Sequence, residues 1–582
     1  MSSQTFNLTT EPWIKVVDAT TNQEKMVSLI ELFSHAQDYR QLAGDMAAQD
    51  LTILRLLLAI LTTVYSRLDA SGRPYAWLKV DERLRPTFLD KKQVGLSATD
   101  DDDEEESLPQ NSEVEDAWSR TLRQTWQQLF QAGKFSPVVN QYLLQNADCF
   151  DLFGSRPFYQ VTRGEYDALV PKNKQVATGN GKVGIKQINR RISESGNKKA
   201  IFSPKSGTAK NEASPAELAR WIIMYQNFTG VTDKTKVDLD ERNPSGWLYG
   251  MTPVFAQGDT LFETLILNLI LVSQEGYAVQ KPVWEYDTVQ DYVAEREKKL
   301  QPRDLAALYT TWSRILYIEE DVPQRPIIFS AGLPIFAADA AFIEPMTTWN
   351  QDKKTLVFHP AEKTLYSLSK AMWRNFGLYV NVNKADTVHE PGIIKWLRYL
   401  KKRKAIPGNQ VLKLKSIVLI KDGNAASQMP AVEVVDDMQI NANVLLEKAW
   451  PVRIEDAISD AQAVGNNYRA FMANIAKVRH LDASDYSKRL TSQLYERFNS
   501  PFKKWLADLT DDADPDLKSL EWKKCLQRIV RESAQDVMRS SSPRDVKGLI
   551  IHPKKGDPYL MNIFIASNWL KHDVQASLYP QN

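Results

Sequence analysis

The stretch "AAQDLTILRLLLAILTTVYSRL", positions 47–68, constrains the fold more than any other part of the chain. Its apolar residues fall on nearly every face at helical spacing, so the helix has no side to offer to water and must be enclosed by other elements. A 582-residue chain has the mass to enclose it. By length it allows roughly three or four domains, which large mixed units often fuse into two. A membrane is not the expected surrounding. The run "LLLAILTTVY" is preceded by Arg55, and "LFETLILNLILV" is interrupted by Glu263, so neither supplies the ~20 apolar residues of a span. The opening "MSSQTFNLTTEPWIKV" shows neither the basic nor the apolar region of a signal peptide, and the expected location is cytoplasmic.

Local signals place the neighbouring elements. "NLTTEPWIKVVD" reads as a strand entered from a turn. Ser28 with Glu31, Ser214 with Glu217 and Thr260 with Glu263 each have capping-box spacing at a helix start, and Pro215 suits a first helical position. Leu218, Trp221, Ile222 and Tyr225 recur so as to bury one face of the second of these helices. "ERNPSGWLYGMTPVFAQGD" reads as a turn-rich connector, and "SIVLI" and "AVEVV" as two strands joined by a long polar tip. After position 440 the texture changes to long helical periods. Leu490, Leu494 and Phe498 form one stripe, Leu526, Ile529, Val530 and Val537 another, and a last helix is expected with Pro558 near its start. Four such helices on short links predict an antiparallel bundle. The expected fold class is therefore α+β: a mixed domain over 1–440 and a four-helix bundle over 441–582.

Charge is sorted along the chain. Between 171 and 210 stand ten Lys and Arg against one acid, Glu194, a local +9 in a chain whose net charge is +1. A second cluster, 395–415, carries eight basic residues and no acid. "DDDDEEE", inside an acidic insertion over 99–116, repels itself and is expected to be a solvated loop. The basic loop, 171–213, suits phosphates, because each neutralised phosphate releases condensed counterions. Within "SGNKKAIFSP", Gly196 and Asn197 permit close backbone approach, Lys198 and Lys199 reach phosphates, and Phe202 offers a ring to bases. A solvated basic loop with Phe202 tucked inward is the alternative.

Catalytic signatures do not appear. "GNGKVG" lacks the GK[ST] ending and the strand-to-helix context of a phosphate loop. The six histidines are scattered, Cys149 and Cys525 are far apart, and neither metal nor cofactor is expected. The acid pairs Asp436 with Asp437 and Asp511 with Asp512 are expected in solvated turns or helix ends.

"NLTTEPWIKV", "VSLIELFSHAQDYRQLAGDMAAQDLTILRLLLAIL", "SESGNKKAIFSP", "GDTLFETLILNL" and the terminal helices, in this order, resemble the CasA family, the large subunit of the type I-E CRISPR surveillance complex Cascade. The resemblance implies a non-enzymatic subunit whose partners are the other Cascade subunits, crRNA, double-stranded target DNA and a helicase-nuclease. Such a subunit recognises a protospacer-adjacent motif (PAM), helps unwind the target and recruits the helicase-nuclease. Carried onto this chain, it places Phe202, Ser203 and Pro204 at a functional loop tip. It places a minor-groove loop at Asn243, Pro244, Ser245 and Gly246, and a wedge at Gln428 beside Ser427 and Met429. The chain departs from the family in three places. It has one glycine in the minor-groove loop where other members have several. It has Glu344, Pro345 and Met346 where a basic finger would fall, and it lacks the four cysteines of a zinc knot, so zinc is not expected. A scaffold subunit that meets only crRNA and sister subunits is the nearest alternative; a metal-dependent nuclease is a more distant one.

Overall fold

The computed structural model describes residues 5–96, 115–192, 203–230, 235–237, 245–273, 276–319, 324–334, 336–380, 386–408, 410–421, 430–446, 449–510, 512–553 and 556–580. The chain forms two compact units. One comprises Met1–Leu365, Thr387–Leu397 and Lys415–Val435; the other comprises Tyr366–Asp386, Arg398–Leu414 and Asp436–Asn582. The acidic run 100–106 lies outside the described residues.

In the first unit the apolar run forms the central helix, Ala47–Tyr65. It is long and apolar enough to cross a membrane by length and composition, and it is buried within the unit. Helices Val138–Gln145, Pro215–Phe228, Leu261–Asn268 and Leu305–Tyr309 pack around it. Three of its small sheets bear on the site. Ile14–Asp18 pairs antiparallel with Glu24–Val27 and Tyr39–Leu42. Ile327–Gly332 lies between Lys182–Val183 and Arg314–Glu319. Val411–Lys421 lies between Pro430–Asn441 and Val254–Gln257.

The caps form where the spacing placed them. Ser28, Ser214 and Thr260 each accept a bond from the backbone N–H three residues on. None of the three glutamates completes its box: Glu31 goes to Lys25 at 2.6 Å, Glu217 to Lys205 at 2.7 Å, and Glu263 accepts from the Asp259 amide at 2.8 Å. Helix Pro215–Phe228 also differs from expectation: every residue from Leu218 to Phe228 is buried. Its polar side chains can enter the core because they are satisfied there. Gln226 bonds the Arg314 carbonyl and the Ser313 amide, and Arg220 donates to the Trp13 carbonyl. The connector after Gly246 contributes a strand, Val254–Gln257, because Val254, Phe255 and Ala256 are buried beside the hairpin.

The second unit is built on helices Ala449–Arg479, Ala483–Ala507, Pro515–Arg539 and Ile563–Leu578. Its core is aromatic: the Trp373 ring stacks on Phe502 at 4.2 Å, and Phe502 meets Trp522 at 5.1 Å. The last helix starts later than Pro558 suggested, at Ile563, capped by Asn562. Residues Tyr559–Met561 instead pair with Leu549–Ile551. Asp436 and Asp437 are not solvated turn acids either. Both lie in strand Pro430–Asn441 and accept bonds from Lys503 at 2.9 and 2.7 Å, and Asp436 also accepts from the Met372 amide. Burial alone would lower the Lys503 pKa, but these two carboxylates more than offset it and raise it. Asp511 lies outside the described residues.

Candidate nucleic-acid interface

The basic segment is structured over its first half. Val176, Val183, Ile185, Ile188 and Ile192 are buried, and Lys182–Val183 pairs antiparallel with Phe329 and Ile328. The expected loop over 171–213 is therefore folded up to 192. Apolar residues spaced between the lysines anchor it, a signal that the charge count obscured. Residues 193–202, with Gly196, Asn197, Lys198, Lys199 and Phe202, lie outside the described residues. Both flanks of that stretch are tied down. On one side Arg190 donates to the Phe228 carbonyl at 3.3 Å and Arg191 lies 3.9 Å from Asp45. On the other, Ser203 bonds the Lys205 carbonyl, Lys205 bonds Glu217 and the Glu212 carbonyl, and Pro204 is exposed.

Arg190 meets helix Pro215–Phe228 at its C-terminal end, where the unsatisfied carbonyls carry partial negative charge and favour a cation. The glycine loop docks at the same end. The Gly246 amide donates to the Thr229 carbonyl at 2.9 Å, and the Leu248 amide to the Asn227 carbonyl at 3.0 Å. A Cβ at Gly246 would overlap the carbonyl group of Asn227 and the amide nitrogen of Phe228. Close packing of backbone on backbone thus requires this glycine, and Gly246 is buried while Ser245 is half-buried. Asn243 and Pro244 lie outside the described residues.

Two residues further along the chain from Ser245, Trp247 donates its indole N–H to Glu344 at 2.6 Å. Glu344 also takes both guanidinium nitrogens of Arg55, each at 2.9 Å, and the Met346 amide. Glu344, Pro345 and Met346 are all buried. The position where a basic finger would fall therefore presents no side chain to a ligand here; its acid is a core anchor for the glycine loop. An acid in an otherwise apolar "AFIEPM" run was the available hint, but its partners stand 289 and 97 residues away.

The hairpin meets the same loop. Lys421 ends the strand before the tip and places its ammonium 5.3 Å from the Tyr249 ring centroid and 4.0 Å from Glu362. The tip 422–429, with Ser427, Gln428 and Met429, lies outside the described residues. The structure therefore brings the basic segment, the glycine loop and the root of the hairpin onto one contiguous set of contacts. Sequence reasoning did not single out Arg190, Tyr249 and Lys421 individually; Arg190 was counted within the basic loop, Tyr249 lies within the turn-rich connector, and Lys421 follows "SIVLI" directly. Among the described residues no group of three or more His, Cys, Asp or Glu is arranged to hold a metal, and both cysteines are free.

A mixed α and β unit joined to a helical bundle is the fold of CRISPR-associated proteins already solved. A Cse1 from Thermobifida fusca is 19% identical, with 98% of each chain covered and a TM-score of 0.73. A Cse1 from Acidimicrobium ferrooxidans is 18% identical over 99% of this chain and 98% of that one, with a TM-score of 0.68. CasA (Cse1) of Thermus thermophilus is 15% identical over 98% and 99%, at 0.64. The sequence model of the family described as CRISPR-associated protein Cse1 matches residues 7–533, and the chain belongs to that family. No match is found among curated proteins. The expected α+β architecture with a helical C-terminal region agrees with these structures.

Proposed function

We propose that this chain is the non-catalytic DNA-recognition subunit of a type I-E, crRNA-guided surveillance complex. A chain of a structure described as a CRISPR RNA-guided surveillance complex shares its fold at 14% identity and a TM-score of 0.63. In this reading the loop Asn243, Pro244, Ser245 and Gly246 reads the PAM through the minor groove, whose pattern is degenerate and so tolerates several motifs. Gln428, between Ser427 and Met429, wedges the duplex, at an unstacking cost of a few kcal/mol per step that contacts to bent, opened DNA offset. Lys198 and Lys199 hold phosphates, with Phe202 next to the point where Ser203 and Pro204 return the arm to the folded segment. The opened target is then passed to a helicase-nuclease recruited by the complex.

The observation that carries this reading is the convergence at one place. Arg190 and Gly246 share the end of helix Pro215–Phe228, and Tyr249 of the same loop carries Lys421 of the hairpin. A phosphate-holding arm, a groove reader and a wedge must act within a few base pairs of one another. Contacts of this kind hold their roots that close. The test is binding of the assembled complex to guide-matched duplexes with randomised flanks. A restricted set of flanks is expected to be retained, and equal retention of all flanks would contradict the reading.

A scaffold role has one observation in its favour. Arg190, Arg191 and Lys205 are engaged by the protein itself, which lowers the charge free for DNA. Crosslinking to a PAM-containing duplex separates the two, since a scaffold would be captured by crRNA alone.

A further inference from the structure

One helix and the loop leading into it hold all three elements. At the start of the central helix the Ala48 N–H donates to the Glu433 carboxylate at 2.7 Å. Glu433 lies in strand Pro430–Asn441, just past the hairpin tip, and Met46, the residue at the cap position, makes no side-chain cap bond of its own. The hairpin thus supplies the missing cap, and a carboxylate there also meets the positive end of the helix dipole. In the loop leading into this helix, Asp45 lies 3.9 Å from Arg191, at the root of the basic arm, 3.2 Å from Lys15 and 3.7 Å from Arg220. Seven residues on from Ala48, about 10 Å along the axis, Arg55 holds Glu344 and through it Trp247 of the glycine loop. Between these points every residue but the half-buried Asp50 is buried, and packing at crystal-like density resists bending of the helix.

We propose that the central helix is a rigid mount that sets the spacing between the groove-reading loop and the hairpin, with Glu433 the positioning residue for the hairpin. The inference rests on the DNA-recognition reading above. Glu433 touches no DNA in this account; it fixes where the hairpin stands relative to Gly246.

The test uses the chain assembled with its sister subunits and crRNA. The probe is a guide-matched duplex carrying 2-aminopurine in the base pairs beside a retained flank, so that capture and opening are read separately. Glu433→Ala is expected to lower opening about tenfold, the loss of one charged hydrogen bond, while capture stays within twofold. Glu433→Gln keeps an acceptor for Ala48 and should recover most of the opening. Ala48→Pro removes the same bond from the other side, at a position in the first helical turn where proline is tolerated. It should match Glu433→Ala, and the double variant should lose no more than either alone.

Undiminished opening in Glu433→Ala, an equal fall in capture, or additive losses in the double variant would each overturn the proposal. Gln428→Ala, run in parallel, reports on the other reading. If it leaves opening intact while Glu433→Ala does not, the mount stands and the wedge assignment fails.

Discussion

Arg55 and Glu344 form a two-bond ion pair, 2.9 Å at each contact, with neither side chain exposed to solvent. Their attraction has to offset the desolvation of both charges, so removing one partner leaves the other stranded in the core. Glu344→Ala is expected to lower stability by about 3–5 kcal/mol in denaturant unfolding of the purified chain. Replacing both residues, Arg55→Met with Glu344→Leu, should recover most of that loss.

Gly246 should resist any side chain. Gly246→Ala forces a Cβ into the Asn227–Phe228 peptide, which is backbone and cannot rotate away. We expect a loss of about 1–3 kcal/mol, the usual range for overpacking, seen as a lower melting temperature. Gly164 is the control: nothing lies within 4 Å of its added Cβ. Because Gly164 sits in helix Arg163–Leu169, Gly164→Ala should be neutral or stabilising by up to about 1 kcal/mol.

Stability should fall as pH rises from about 4 to about 7 through Asp50. Burial lifts its carboxyl to about 7; the Gly44 amide and Lys415 pull it down, while Glu433 and Asp45 push it up. In that window the folded chain keeps a proton that the unfolded chain, with a carboxyl near 3.9, has released. Above about 7 both states are ionised and the dependence levels off. Asp50→Asn should raise stability at pH 8 by on the order of 1–2 kcal/mol and flatten its contribution between pH 5 and 8. Denaturant midpoints at the two pH values check this.

Neutralising Lys198 and Lys199 together should reduce the slope of log affinity against log salt by about 2, near 0.9 for each phosphate that no longer has a cation beside it. The measurement is duplex binding by the assembled complex from low to high salt. An unchanged slope would remove both lysines from the phosphate-holding role.

Lys503 joins strand Pro430–Asn441 to helix Ala483–Ala507 through Asp436 and Asp437. Lys503→Met keeps the stem and removes the charge, leaving two adjacent carboxylates without the ammonium that both contact. A loss of about 1–3 kcal/mol is expected on unfolding, and Asp437→Asn in the same background should return part of it.

The helix caps at Ser28, Ser214 and Thr260 were legible because a cap links residues three apart, and no distant partner decides whether it forms. The enclosure of helix Ala47–Tyr65 was legible for a related reason, since apolar residues on every face leave burial as the only outcome. Charge was legible only as an amount. That Arg191 stands by Asp45, that Lys205 is taken by Glu217, and that Asp436 and Asp437 grip Lys503 follow from where the chain returns on itself. Glu344 shows the limit most clearly. Its burial depends on Arg55, 289 residues away, and on Trp247. Local order along the chain encodes periodicity and caps; which charges meet is settled by packing, because an ion pair's energy depends on distance in space and on the water excluded around it.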